Sequence, residues 1–333
     1  MEARALGRRG LPVSRLGVGL AAVGRPGYIT LGRAHDLGDR RDPDALWSRT
    51  AAVLDAARAA GVRYVDAARS YGRAEEFLAR WLDARRLGPA DVTVGSKWGY
   101  AYTAGWRIDV PVHEQKELTL ARFRTQLAES RALLGDALAL YQIHSATVDS
   151  GVFHDDALLA ALVEERARGT YAAVGLTLSG PSSEAALRAA TTARSSGEPV
   201  FDVVQATFNV LEPSLAAALA DAHAAGVGVI AKEVHANGRL TPANDRAHDR
   251  ALLATLHAAA APLGLTVDQL ALAWVLSHPF VDVALSGAAT TAHLHSHASA
   301  TTARSTGAVS SKLADLAEPS ATYWHTRSTL PWT

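Results

Sequence analysis

Apolar and polar positions alternate along this chain in blocks rather than residue by residue. An Ala-rich segment with helical spacing runs into a glycine, and a short apolar run starts directly after it. The joint recurs as LDAARAAG/VRYVDAA, SRALLG/DALALYQIH, VEERARG/TYAAVGLTL and LADAHAAG/VGVIAKE. Glycine suits the position just past a helix end because it takes the left-handed conformation at little cost. Continuous apolar runs fit parallel strands covered on both faces. SRLGVGL, DVTVGSK, FDVVQATFN and VDVALSGAA have the same character, which brings the predicted strands to eight. Helices are predicted near residues 44–60, 74–86, 116–134, 155–168, 183–195, 214–225, 247–262 and 266–277.

Alternating strands and helices imply a parallel sheet. Eight such units in 333 residues fit a single-domain (β/α)8 TIM barrel over residues 1–333. A doubly wound sheet is the alternative, and it would carry a Gly-rich phosphate turn opening a helix after its first strand. GVGLAAVGRPG has scattered glycines but opens no helix, so the barrel is the expected fold. Long loops at about 24–43, 99–115 and 235–262 are the expected functional segments.

Composition narrows the class. Net charge is zero, which lacks the basic footprint of a nucleic-acid binder. There is no cysteine, hence no disulfide framework, thiolate metal site or cysteine nucleophile. The first residues, MEARALGRRGLPVSRLG, hold no long apolar segment, and no stretch approaches the ~20 apolar residues of a membrane span. The expectation is a cytoplasmic protein without a membrane or nucleic-acid partner.

Barrel enzymes place their chemistry at the C-terminal ends of strands. Those ends supply Asp66 after VRYV, Lys97 after VTVGS and His144 after LALYQI, with Tyr71 in the loop beyond Asp66. Alone, each reads as a turn, a cap or a surface group. Together they make a consistent device. A free phenol has a pKa of about 10, and a nearby ammonium favours the phenolate. A carboxylate holds the lysine in place, and a histidine donates to a carbonyl oxygen. That is proton donation to a carbonyl that is accepting a hydride.

In the order and spacing of YVDAARSYG, VGSKWG and LYQIH, the chain resembles the aldo-keto reductase superfamily over residues 12–300, nearly its whole length. The resemblance implies a barrel that binds NADPH, with NADH as the alternative, and reduces an aldehyde or ketone. It implies that Tyr71 is the general acid, Lys97 lowers its pKa, Asp66 supports Lys97 and His144 orients the carbonyl. It further implies cofactor contacts at Thr177, Gln205, Lys232, Glu233, Gly238, Arg239, Gly287, Ala288, His293 and His297. The substrate pocket is expected to use Tyr28, Trp98, Tyr100 and Trp106.

Several positions depart from the family pattern. Leu178 stands where the family has a hydrogen-bonding Asn, and Lys232 stands where an aromatic residue often stacks on the nicotinamide. His293 replaces an Arg or Gln that meets the adenosine phosphate, and His297 an Asn that meets the adenine. HLHSH invites a metal reading, but alternate spacing does not put three histidines on one helix face, so no metal is expected. Leu178 and Lys232 keep one rival open, a redox-neutral lyase or isomerase using Tyr71, Lys97 or Lys232; the family resemblance itself leaves a second, a cofactor-binding regulatory protein.

Overall fold

Eight short strands in this computed structural model, which describes residues 1–303 and 313–333, close into one parallel barrel. They are β1 (Leu16–Gly19), β2 (Tyr64–Asp66), β3 (Thr93–Trp98), β4 (Leu138–Ile143), β5 (Ala173–Leu178), β6 (Val203–Thr207), β7 (Gly228–Lys232) and β8 (Val283–Ser286). Each pairs with its chain neighbours, and β8 pairs with β1 to close the ring. The strands are apolar on both faces because one face fills the barrel and the other meets the helices.

The helices are α1 (Pro43–Ala59), α2 (Ala74–Arg85), α3 (Leu120–Leu134), α4 (Asp156–Ala167), α5 (Ser183–Thr192), α6 (Ala216–Ala224), α7 (Arg250–Ala260), α8 (Val267–Leu276), α9 (Thr291–Ala300) and α10 (Ser320–Ser328). Sequence pattern located all of these but the last two; it also missed a five-residue helix, Arg33–Leu37, inside the loop after β1. The helix expected from residue 116 starts later. Glu114–Lys116 pairs with Tyr100–Tyr102 as an antiparallel ribbon, and Thr119 caps α3 by accepting from the N–H of Arg122. Among the described residues no single helix is long and apolar enough to cross a membrane.

A hairpin of Ala3–Leu6 and Leu11–Ser14 closes the N-terminal end of the barrel. Its Leu6, Leu11 and Val13 pack on the inward side chains Tyr64, Leu140, Val203, Ile230 and Val283. That leaves the other end open. The loops after β1, β3 and β7, with α10 and the residues following it, surround this open end.

Candidate active site

The open end holds a cavity of about 1200 Å³ lined by groups from nearly every strand end. This exceeds the ~1,000 Å³ upper range of ordinary small-ligand pockets and leaves room for a long ligand and a second molecule. Tyr71, His144, Tyr28 and Tyr100 line it, as do Thr177, Gln205, Lys232, Glu233, Gly238, Gly287, His293 and His297.

Strand alternation builds the floor. In β3, Lys97 points into the barrel, so its neighbours Ser96 and Trp98 point out to the helices. Ser96 Oγ donates to Glu75 of α2, and Trp98 packs on Phe123 of α3 with ring centroids 5.2 Å apart. Lys97 is 1% exposed and Asp66 2%, and Lys97 Nζ donates to Asp66 Oδ2 and, at 3.0 Å, to the carbonyl of Ala67. The other carboxylate oxygen accepts from Tyr64 Oη at 3.1 Å, Gln142 Nε2 at 3.2 Å and Gln205 Nε2 at 2.9 Å. Gly95 makes this possible, because a Cβ there would lie 2.3 Å from Tyr64 Oη. The ion pair is therefore buried with both partners hydrogen-bonded, the condition under which buried charge is tolerated.

Tyr71 stands over this pair, with Lys97 Nζ 4.8 Å from its ring centroid. The turn carrying it depends on Gly72, at φ +62°, where a Cβ would lie 2.6 Å from the carbonyl oxygen of Gly24. That close approach also brings Arg25 to Tyr71, with Cζ 5.1 Å from the ring centroid. The His144 ring meets Tyr71 edge to face at 5.6 Å. His144 Nδ1 lies 3.5 Å from Ser70 Oγ. Among the described residues, neither His144 Nε2 nor the Tyr71 hydroxyl has a protein partner, which leaves both to the cavity.

Electrostatics set the protonation states. Burial, followed by the cations Lys97 and Lys232, pushes the His144 pKa well below that of free histidine. The imidazole is therefore neutral. Burial and then the Asp66 carboxylate push the Tyr71 phenol well above its ordinary value, against a smaller opposite effect of Arg25. The net shift of the phenol is thus upward. Burial is its largest cause, and the phenol keeps its proton.

A sequence model described as the Aldo/keto reductase family matches residues 37–315. The chain belongs to the aldo/keto reductase family. A curated relative, pyridoxal 4-dehydrogenase from Microbacterium luteolum, is 30% identical over 205 residues, which are 53% of this chain and 55% of that protein. The chain thus spans about half the length of that relative. Among solved structures, an aldo-keto reductase from Bacillus halodurans in its holo form superimposes with a TM-score of 0.74 at 21% identity, covering 96% of this chain and 97% of that one. The glycerol dehydrogenase of Gluconobacter oxydans gives 0.71 at 20% identity, with 94% of each chain covered. At these identities the likeness shows the fold alone.

Within this aldo/keto reductase several expected residues lie elsewhere. Trp98 is fully buried between barrel and helices, because it follows the inward Lys97 on the same strand. Trp106 packs on Phe77 and donates from Nε1 to the carbonyl of Arg41, outside the cavity. Arg239 is buried, bonded through its guanidinium to Asp249 and Glu318, and does not line the cavity. Ala288 is buried behind the cavity wall, with its N–H on Ser286 Oγ. Leu178 is buried in the layer between barrel and helices.

Lys232 sits in an ion pair. Its Nζ lies 3.7 Å from Glu233 and donates to Thr207 Oγ1 at 2.7 Å and Ser179 Oγ at 3.0 Å. Burial pushes it down to about 8. Glu233 also holds Arg327 of α10 through both carboxylate oxygens, and these cations outweigh burial to bring it down to about 2. Leu178 and Lys232, the two residues that motivated the lyase reading, are therefore accounted for as packing and ion pairing.

Sequence reasoning missed Arg25, Glu114, Ser145, Arg327 and Trp332. Arg25 is 2% exposed, donates to Glu114 at 2.5 Å and lies about 5 Å from the rings of Tyr28 and Trp332. None of these residues sits on a strand end with a recognisable pattern.

Proposed function

We propose that the protein interconverts an aldehyde or ketone and its alcohol with a nicotinamide dinucleotide, and that it does so as a carbonyl reductase. The observation that carries this reading is the pairing of a protonated Tyr71 with a neutral His144, both open to one cavity above the buried Lys97–Asp66 pair.

The cavity wall fits such a cofactor. Gln205 spends only its Nε2 on Asp66, leaving Oε1 for the amide of a nicotinamide, and the Thr177 hydroxyl lies beside it. When bound, the reduced nicotinamide supplies the hydride. His144 donates a hydrogen bond to the substrate carbonyl oxygen and fixes its direction. Tyr71 Oη gives its proton to that oxygen as negative charge develops there. Lys97 then stabilises the phenolate, which it can do at that moment because charge has appeared beside it. Asp66 holds Lys97 in position throughout. The aromatic rings of Tyr28, Tyr100 and Trp332 cover the substrate side and limit water.

Two measurements on the purified full chain test this reading. Titration with NADH and with NADPH, followed by protein fluorescence, shows binding of at least one. A panel of aldehydes and ketones then oxidises that dinucleotide, read by loss of reduced-nicotinamide absorbance. Absence of binding at high micromolar concentration, or binding without turnover of any panel member, contradicts the proposal.

A further inference from the structure

Strands β4 and β8 lie on opposite sides of the eight-stranded barrel, four places apart in the ring. The cavity runs from His144, Thr177 and Gln205 at β4, β5 and β6 to Ser286 of β8, His293 of α9 and Asp36 after β1, so a dinucleotide with its nicotinamide at the first end has room for its adenosine at the second. The far wall is made by Asp36 from the loop after β1, Asp245 from the loop after β7, Asp268 of α8, and His293 and Ser296 of α9.

This wall has an unusual charge for a phosphate acceptor. Asp36 Oδ1 lies 3.6 Å from His293 Nε2 across the cleft, and Asp36 keeps 16% of its side chain exposed. The second carboxylate, Asp268, accepts from Ser296 Oγ at 2.8 Å. The third, Asp245, is at the surface. The described residues of β8 and α9, through position 303, include no Lys or Arg. The cations that do line the cavity are elsewhere. Arg25, Lys116, Lys232 and Arg327 surround the Tyr71 end. Arg33 is buried with its donors on the carbonyls of Ala22, Arg25, Pro26 and Thr333. Arg49 reaches the backbone carbonyls of Asp36 and Leu37 and does not line the cavity.

We propose that this wall is an adenosine-ribose subsite that accepts a free 2′-hydroxyl and excludes a 2′-phosphate, so that the protein uses NAD(H) in preference to NADP(H). The inference rests on the dinucleotide reading given above and reverses the NADPH expectation of the sequence. Asp36 is the specificity-determining residue. Its carboxylate accepts from the ribose hydroxyls, the task an acidic residue performs in other dinucleotide sites. A 2′-phosphate carries one to two negative charges and calls for a bidentate arginine. Here it would meet Asp36 instead, with the imidazoles of His293 and His297, rather than a guanidinium, as the titratable α9 side chains lining the cavity there.

The test is equilibrium binding without any carbonyl present. Dissociation constants for NADH and NADPH are measured by fluorescence titration of the full chain at one ionic strength, for wild type, Asp36→Ser and Asp36→Glu. NADH is expected to bind wild type about tenfold or more tightly than NADPH, a single charge-assisted contact being worth about that factor. Asp36→Ser should shrink the ratio by about tenfold, and Asp36→Glu should keep its direction. Among the described residues the Asp36 carboxylate makes salt contacts with His35 and His293 alone, so the serine variant is expected to fold, with its melting curve as the control. Wild type binding NADPH as tightly as NADH, or a ratio unmoved by Asp36→Ser, overturns this inference alone. Failure to bind either dinucleotide overturns the proposed function as well.

Discussion

Removing either half of the Lys97–Asp66 pair should destabilise the protein, but by unequal amounts. In Asp66→Asn the buried ammonium loses its only carboxylate and keeps one carbonyl, that of Ala67 at 3.0 Å. Stranding a buried charge in this way costs about 3–5 kcal/mol. In Lys97→Met the carboxylate keeps three neutral donors on Oδ1, from Tyr64, Gln142 and Gln205. Its loss is that of one charge-assisted contact, about 1.5–3 kcal/mol. For 333 residues the unfolding entropy is roughly 0.7 kcal/mol per kelvin, so the melting temperature should fall by roughly 4–7 °C for Asp66→Asn and roughly 2–4 °C for Lys97→Met. Calorimetry at one scan rate measures both. The double variant should recover part of the Asp66→Asn loss, since it strands no charge. A Lys97→Met variant less stable than Asp66→Asn refutes the reasoning, because the donors around Oδ1 would then be doing nothing.

The buried histidines predict acid sensitivity. His144 and His297 both have pKa values well below that of free histidine, each chiefly through burial. The unfolded chain takes up these protons near pH 6.5 and the folded chain does not. Stability is therefore intact above about pH 6.5 and falls below it, by about 1.4 kcal/mol per pH unit for each histidine, until the native groups titrate. Urea midpoints between pH 7.5 and 5 check the slope, and a His297→Gln variant with the same slope as wild type contradicts it. Lys232 gives a spectroscopic prediction. The chain has four lysines, so ¹³C-methylated protein shows four dimethyllysine environments, and the one removed by Lys232→Met should titrate near pH 8. Titration of that signal at the ordinary lysine value contradicts the burial of its ammonium.

The barrel was legible because its joints are local. At four of the joints a glycine after the helix and a continuous apolar run after the glycine mark where helix ends and strand begins. Asp66, Lys97 and His144 were legible for the same reason, since a polar group ending an apolar run stands out. Trp98 was misread although the rule was available. Lys97 turned inward obliges its neighbour to turn outward, and Trp98 duly fills the helix layer. Arg239 was misread for a different reason. Its position after β7 was apparent, but its partners Asp249 and Glu318 lie 10 and 79 residues away along the chain. Arg25, Arg327 and Trp332 come from loops and from the residues around α10, where no periodicity announces contact with the mouth. The direction of the Tyr71 shift was hidden as well. A sequence shows that an ammonium and a phenol are near one another, but not that burial is the largest influence on the phenol.

The central claim is that Tyr71 delivers the proton while the rest of the site holds cofactor and substrate. A stopped-flow single turnover tests it most directly, using wild type and Tyr71→Phe preloaded with reduced dinucleotide and mixed with an aldehyde that wild type accepts. The rate of nicotinamide oxidation should fall by about 10²–10⁴ in the variant, the usual contribution of a positioned general acid, with the dinucleotide dissociation constant changed by less than about twofold. A variant that oxidises the nicotinamide at close to the wild-type rate would contradict the claim.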